Sequence, residues 1–112
     1  MAVKEKIIGN VAVLTVSGKL MGGSETKKVH TQVKNLISDG IKKVVIDLSE
    51  VKWMNSMGIG ILMACSTSLR RVEGDLRMAG ATGKVNSLLT ITHLITIFEI
   101  FETSDRAVAT FK

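Results

Sequence analysis

The sequence predicts a single α/β domain: a mixed β-sheet with an N-terminal hairpin, parallel central strands and alternating helices. Three observations carry this. In "VKEKIIGNVAVLTV" two strand-like runs flank Gly9-Asn10, a pair that tolerates positive φ and so suits a two-residue hairpin turn. Val44-Val45-Ile46-Asp47-Leu48 is apolar almost throughout, as a strand covered on both faces requires. Beyond it, strand-like and helix-like stretches alternate, and that order calls for right-handed crossovers between parallel strands.

Taken in order, Val3 to Ile8 is the first strand and Val11 to Val16 the second, β-branched and apolar on both sides. Ser17 to Gly23 reads as a loop. Ser24 reads as the cap of a helix running to about Ser38, with Val29, Val33, Leu36 and Ile37 at helical spacing and lysines on the outer face. Asp39-Gly40 ends it, since glycine is free to take the left-handed cap conformation. After the Val44–Leu48 strand a helix is expected from Ser56 to Val72, with Glu73-Gly74-Asp75 as the turn. Leu76 to Ala79 is a short strand, Lys84 to Thr92 a helix, and Ile97 to Phe101 the last strand. A closing helix spans Ser104 to Phe111, capped by Ser104 or Asp105.

The 112 residues suffice for one domain and not for two ordinary ones, so residues 1–112 are read as one unit without linkers or repeats. The chain is 46% apolar and 22% charged, a globular balance that excludes disorder. No stretch approaches the roughly 18 uninterrupted apolar residues of a membrane span. The start, Met1-Ala2-Val3-Lys4-Glu5-Lys6, lacks a signal-peptide core. The single cysteine, Cys65, permits no internal disulfide and suits a reducing compartment, so a cytoplasmic protein is expected. The net charge of +5 raises nucleic-acid binding. Its lysines and arginines are scattered, however, with no tyrosine and few aromatics to stack on bases, and the reading is of solvated surfaces.

Enzymatic chemistry finds little support. Cys65, His30 and His93 are far apart in sequence, which argues against a metal site. Asn55-Ser56-Met57-Gly58 has a strand–turn–helix setting but lacks the glycine before the serine that a nucleophile elbow uses. Gly80-Ala81-Thr82-Gly83-Lys84 is too short for a phosphate loop, and Val85 stands where Ser or Thr is needed. Neither a catalytic residue nor a cofactor is expected.

The helix after Asn55 is the informative one. At about 100° per residue, Gly58, Ile61, Leu62, Cys65, Leu69 and Val72 share one stripe, the expected buried face. Ile59 and Met63 fall on an outer flank with Ser66 and Arg70, and Ser56 opens the helix on its exposed side. Asn55-Ser56 can be read simply as a helix cap. The same physics admits a switch: a phosphate on Ser56 would meet the positive end of the helix dipole and place about −1.5 to −2 charges beside Met57, Ile59 and Met63.

"DLSEVKWMNSMGIGILM" resembles the central motif of the STAS domain of anti-sigma factor antagonists, approximately D-L-S-x-V-x-F-x-D-S-S-G-L-G-x-L. Asp47-Leu48-Ser49, Val51, Trp53, Ser56, Gly58, Ile59 and Gly60 occupy the matching places. "VLTVSGKL" resembles the family's second strand and glycine loop, and "KVNSLLTITHLITIFEIFETSDRAV" its last helix–strand–helix. The resemblance implies a regulator rather than an enzyme. Such an antagonist binds an anti-sigma factor with serine kinase activity and so frees a sigma factor; the kinase phosphorylates the antagonist, and a PP2C-type phosphatase reverses this. It implies Ser56 as phosphoacceptor and a partner-binding face of Met21, Ser24, Asn55, Met57, Gly58, Ile59 and Met63. Asn55 stands where the family has aspartate, Met57 where it has serine or threonine, and Met21 where an acidic residue is common. The alternative implied by other STAS domains is a ligand- or nucleotide-binding module, or a constitutive scaffold subunit of a larger regulatory or transport assembly.

Overall fold

The computed structural model describes residues 2–81, 83, 85, 86 and 100–111. The chain forms the expected hairpin from β1 (Ala2–Ile8) and β2 (Val11–Leu20), paired antiparallel with Ile8 opposite Val11. Only Gly9 of the turn pair takes positive φ, 63°. Helix α1 (Gly23–Ser38) leads to β3 (Lys43–Met54), α2 (Ser56–Arg70), β4 (Asp75–Ala79), β5 (Ile100–Phe101) and α3 (Ser104–Ala109). Among the described residues the strands form one five-stranded sheet in the order β1-β2-β3-β4-β5, parallel at every pairing after the first. The expected α/β fold with a mixed sheet is therefore observed.

Both faces of the central strands are covered, which explains the unbroken apolar run in β3. One face carries α1 and α2: Leu14, Val16, Val44, Ile46, Leu48 and Met78 share a core with Val29, Val33, Leu36, Leu62, Cys65 and Leu69. Val11, Val13, Val45 and Ala79 point the other way and pack under Ala107 and Val108 of α3. The alternation along β2 and β3 is the two-residue period of a strand with helices on both sides.

Several boundaries differ from expectation. The segment read as a loop from Ser17 is strand as far as Leu20, and β3 runs six residues beyond Leu48. The two extensions pair with each other, Gly18 with Val51, Lys19 with Trp53 and Leu20 with Met54. Register shifts between Thr15 and Ser17 and between Gly18 and Lys19 absorb the irregularity, with Gly18 at φ 93°. A glycine that reads as a loop signal here serves a bulge. Ser24 does not cap α1. The cap position is Gly22, at φ 94°, and the Thr26 hydroxyl accepts from the Gly22 N–H and donates to the Gly22 carbonyl. In α3 the cap is Thr103, whose hydroxyl accepts from the Arg106 N–H, rather than Ser104 or Asp105. The end of α1 is as expected: Gly40 at φ 86° lets its N–H reach the Ile37 carbonyl and lets the Ile41 N–H reach that of Leu36. Most of the helix expected over Lys84–Thr92, and 97–99 of the last strand, lie outside the described residues.

Helices α1 and α2 lie side by side on the sheet, and His30 meets Ser68 across their seam, Nε2 to Oγ 2.8 Å. Partial burial, and then the nearby Lys34 charge, lower the His30 pKa below 6.5. The unfolded chain therefore takes up this proton more readily than the folded one. The His30 contribution to stability is complete above about pH 6.5 and is lost as pH falls through the folded-state value. Urea midpoints measured from about pH 7 down to 5 should fall more steeply for the wild type than for His30→Gln. Identical slopes would show that His30 does not contribute.

Candidate functional site

The paired extensions of β2 and β3 bring the end of the glycine loop against the start of α2. Asn55 fastens the junction. Its side-chain Oδ1 accepts from the N–H groups of Met57 (3.0 Å) and Gly58 (3.1 Å), the N-cap arrangement. Its backbone N–H donates to the Leu20 carbonyl at 3.1 Å, and its carbonyl accepts from Ile59 N–H at 3.0 Å. Its Nδ2 donates to the Met21 carbonyl at 3.1 Å. A carboxylate could make the first two bonds but not the last, because it has no donor. Asparagine at this position thus ties the Met21 loop to α2, and the first turn of α2 carries no acidic residue.

Gly58 lets the start of α2 approach the Leu20 backbone, and Gly22 makes room for the Met57 side chain. A Cβ on Gly58 would overlap the Leu20 carbonyl oxygen and stand 2.9 Å from both the carbonyl carbon and the Cβ of Leu20. A Cβ on Gly22 would come within 3.0 Å of Met57 Cβ, Cε and Sδ, so the Met57 thioether lies against the loop.

Ser56, the first residue of α2, is exposed. Met57 is 61% exposed, Met21 44% and Met63 43%. Ser56, Gly60, Met63, Thr67 and Arg70 form the exposed stripe of α2. Ser24 is exposed too, in the first turn of α1. Two residues depart from the expected flank: Ile59 is only 7% exposed and belongs to the core, and Ser66 is buried as well. On the expected buried stripe, Ile61 and Val72 are only half-buried. The buried arc of α2 therefore extends past the expected stripe to Ile59 and Ser66. Trp53, 36% exposed on the extension of β3, was missed as a surface residue because that segment was not read as strand. Leu20 and Gly22 were missed as well; the Gly22-Gly23 pair was the available signal of close packing.

Cys65 is buried, and loss of solvent pushes its thiol pKa up to about 12. Among the described residues no group of three His, Cys, Asp or Glu side chains could hold a metal ion, and no helix is long and apolar enough to cross a membrane.

The family model for the STAS domain matches residues 2–107. An anti-sigma-B factor antagonist of Listeria monocytogenes is 38% identical over 55 residues, a match covering 49% of this chain and 48% of that protein. The crystal structure of an anti-sigma factor antagonist from Mycobacterium paratuberculosis superposes with a TM-score of 0.82 at 24% identity, covering 97% of this chain and 92% of the other. The Bacillus cell fate determinant SpoIIAA, solved in its phosphorylated form, superposes with a TM-score of 0.77 at 14% identity, covering 99% and 100% of the two chains. At these identities the two structures show a common fold. Given that fold and a family match running almost end to end, the chain belongs to the STAS domain family.

Proposed function

We propose that this protein is an anti-sigma factor antagonist. It binds an anti-sigma factor with serine kinase activity through the face around Ser56, phosphorylation of Ser56 ends the interaction, and a PP2C-type phosphatase restores it. The observation that carries the reading is the setting of Ser56: an exposed residue at the first position of α2, flanked by the capping Asn55 and the exposed Met57, with no acidic side chain in the first turn. Asn55 already caps the helix, so the Ser56 side chain is not needed for that task. A phosphate there would be favoured by the helix dipole and would leave the sheet undisturbed. Facing a docked partner, the same charge would sit beside apolar methionines and weaken the complex. The relatives named as anti-sigma factor antagonists support this choice over a ligand-binding module.

The test is a pull-down from source-cell lysate with wild type, Ser56→Ala and Ser56→Asp as baits, followed by mass spectrometry. Wild type and Ser56→Ala should both capture an ATP-binding serine kinase, and Ser56→Asp should not. Capture of the same proteins by all three baits would rule out the switch. Stabilisation by nucleotide alone, without a protein partner, would favour the ligand-binding alternative.

A further inference from the structure

We propose that Met21, Met57 and Met63 are the oxidant-sensitive sulfurs of this protein, and that their conversion to sulfoxides disables the face around Ser56. The functional consequence rests on the partner reading above; the modification itself does not.

The distribution of sulfur carries the inference. Five methionines are described, and they divide sharply. Met54 and Met78 are completely buried, whereas Met21, Met57 and Met63 are all exposed, on the loop and helix that frame Ser56. Cysteine would ordinarily intercept an oxidant first, because its thiolate is the better nucleophile. Cys65 is buried and held as the thiol, so it presents neither access nor thiolate. The sulfurs that a diffusing oxidant meets first, among the described residues, are therefore the three thioethers.

The reaction needs only a two-electron oxidant of the peroxide class. The thioether sulfur attacks one peroxide oxygen, an S–O bond forms as the O–O bond breaks, and water leaves. The sulfur is oxidised and the peroxide reduced. A dithiol-dependent sulfoxide reductase reverses the step, releasing water and forming a disulfide on the reductant. The product is polar and bulkier than the flexible apolar side chain it replaces. At Met57 the geometry sharpens the effect, because Sδ lies against the Gly22 backbone. The added oxygen either presses on the Gly22-Gly23 turn or displaces the side chain from it. Either movement changes the surface offered to a partner.

The experiment treats the purified protein with graded hydrogen peroxide and follows oxygen uptake at each methionine by peptide mapping. Amide spectra and affinity for the kinase captured above are recorded on the same samples. Met57, Met21 and Met63 should oxidise before Met54 and Met78, with the fold intact. Amide signals of Gly22, Gly23 and Ser56 should move, and affinity should fall about tenfold or more, recovering after sulfoxide reductase and dithiothreitol. Met57→Leu, compared with its own untreated form, should lose less affinity on oxidation than the wild type does. Oxidation of Met54 or Met78 as readily as Met57 would overturn the inference, as would undiminished binding by the fully oxidised protein. Should the untreated protein bind no kinase, the partner reading fails, and the order of oxidation with the amide shifts decides the inference alone.

Discussion

Gly58→Ala is expected to lower stability by about 3 kcal/mol or more, enough to unfold a marginally stable domain. The added methyl would occupy the space of the Leu20 carbonyl oxygen, and neither backbone can readily yield. Leu20 ends β2, its side chain is fully buried, and its carbonyl is held by the Asn55 N–H. Gly58 is itself fixed by its bond to Asn55 Oδ1. Relief would require separating α2 from the end of the sheet. Gly60, two residues along the same helix, is the control. It is exposed, and a Cβ there would meet nothing within 4 Å. Gly60→Ala should raise stability by about 1 kcal/mol through helix propensity alone. Urea midpoints of the two variants should therefore move in opposite directions. A drop of similar size in both would mean that the packing between Gly58 and Leu20 is not the determining contact.

For Ser56→Asp the expected result is a separation of stability from binding. A carboxylate at the first position of α2 interacts favourably with the helix dipole, by about 0.3–1 kcal/mol, so the melting temperature should hold or rise slightly. Affinity for the captured kinase should fall about tenfold to a hundredfold, because an uncompensated charge must be desolvated against an apolar surface. A purely structural role for Ser56 would give the reverse pattern, with stability lost and binding retained. The cap itself lies one residue earlier. Asn55→Ala would remove the acceptor for the Met57 and Gly58 N–H groups and also the bond to the Met21 carbonyl.

The legible parts of the fold were those set by local chemistry. Gly9-Asn10 fixed the hairpin, Gly40 the end of α1, and the apolar run from Val44 to Leu48 a strand buried on both faces. What escaped the reading depended on neighbours distant in sequence. Gly18 reads as a loop residue until β3 is known to continue alongside it as far as Met54. Ile59 and Ser66 lie on an outer flank of the wheel, which carries no information on what packs around α2; both are buried. Clusters such as Thr103-Ser104-Asp105 offer several capping side chains, and the backbone dihedrals choose among them. Of the candidate site, the helix pattern points to Ser56, Met57 and Met63 and the family resemblance to Met21, and the structure places all four at exposed positions. The donor role of Asn55 could not be named from the sequence, because the Met21 carbonyl reaches it only through the paired strand extensions.

The central claim is that charge on Ser56 controls docking without altering the fold. The most direct measurement is calorimetric titration of the captured kinase with two preparations of this protein, one fully phosphorylated on Ser56 and one treated with a PP2C-type phosphatase. The dephosphorylated form should bind at least about tenfold more tightly, with the two forms melting within a few degrees of each other. Equal affinities would contradict the account and leave Ser56 as an ordinary surface residue on a constitutive binding domain.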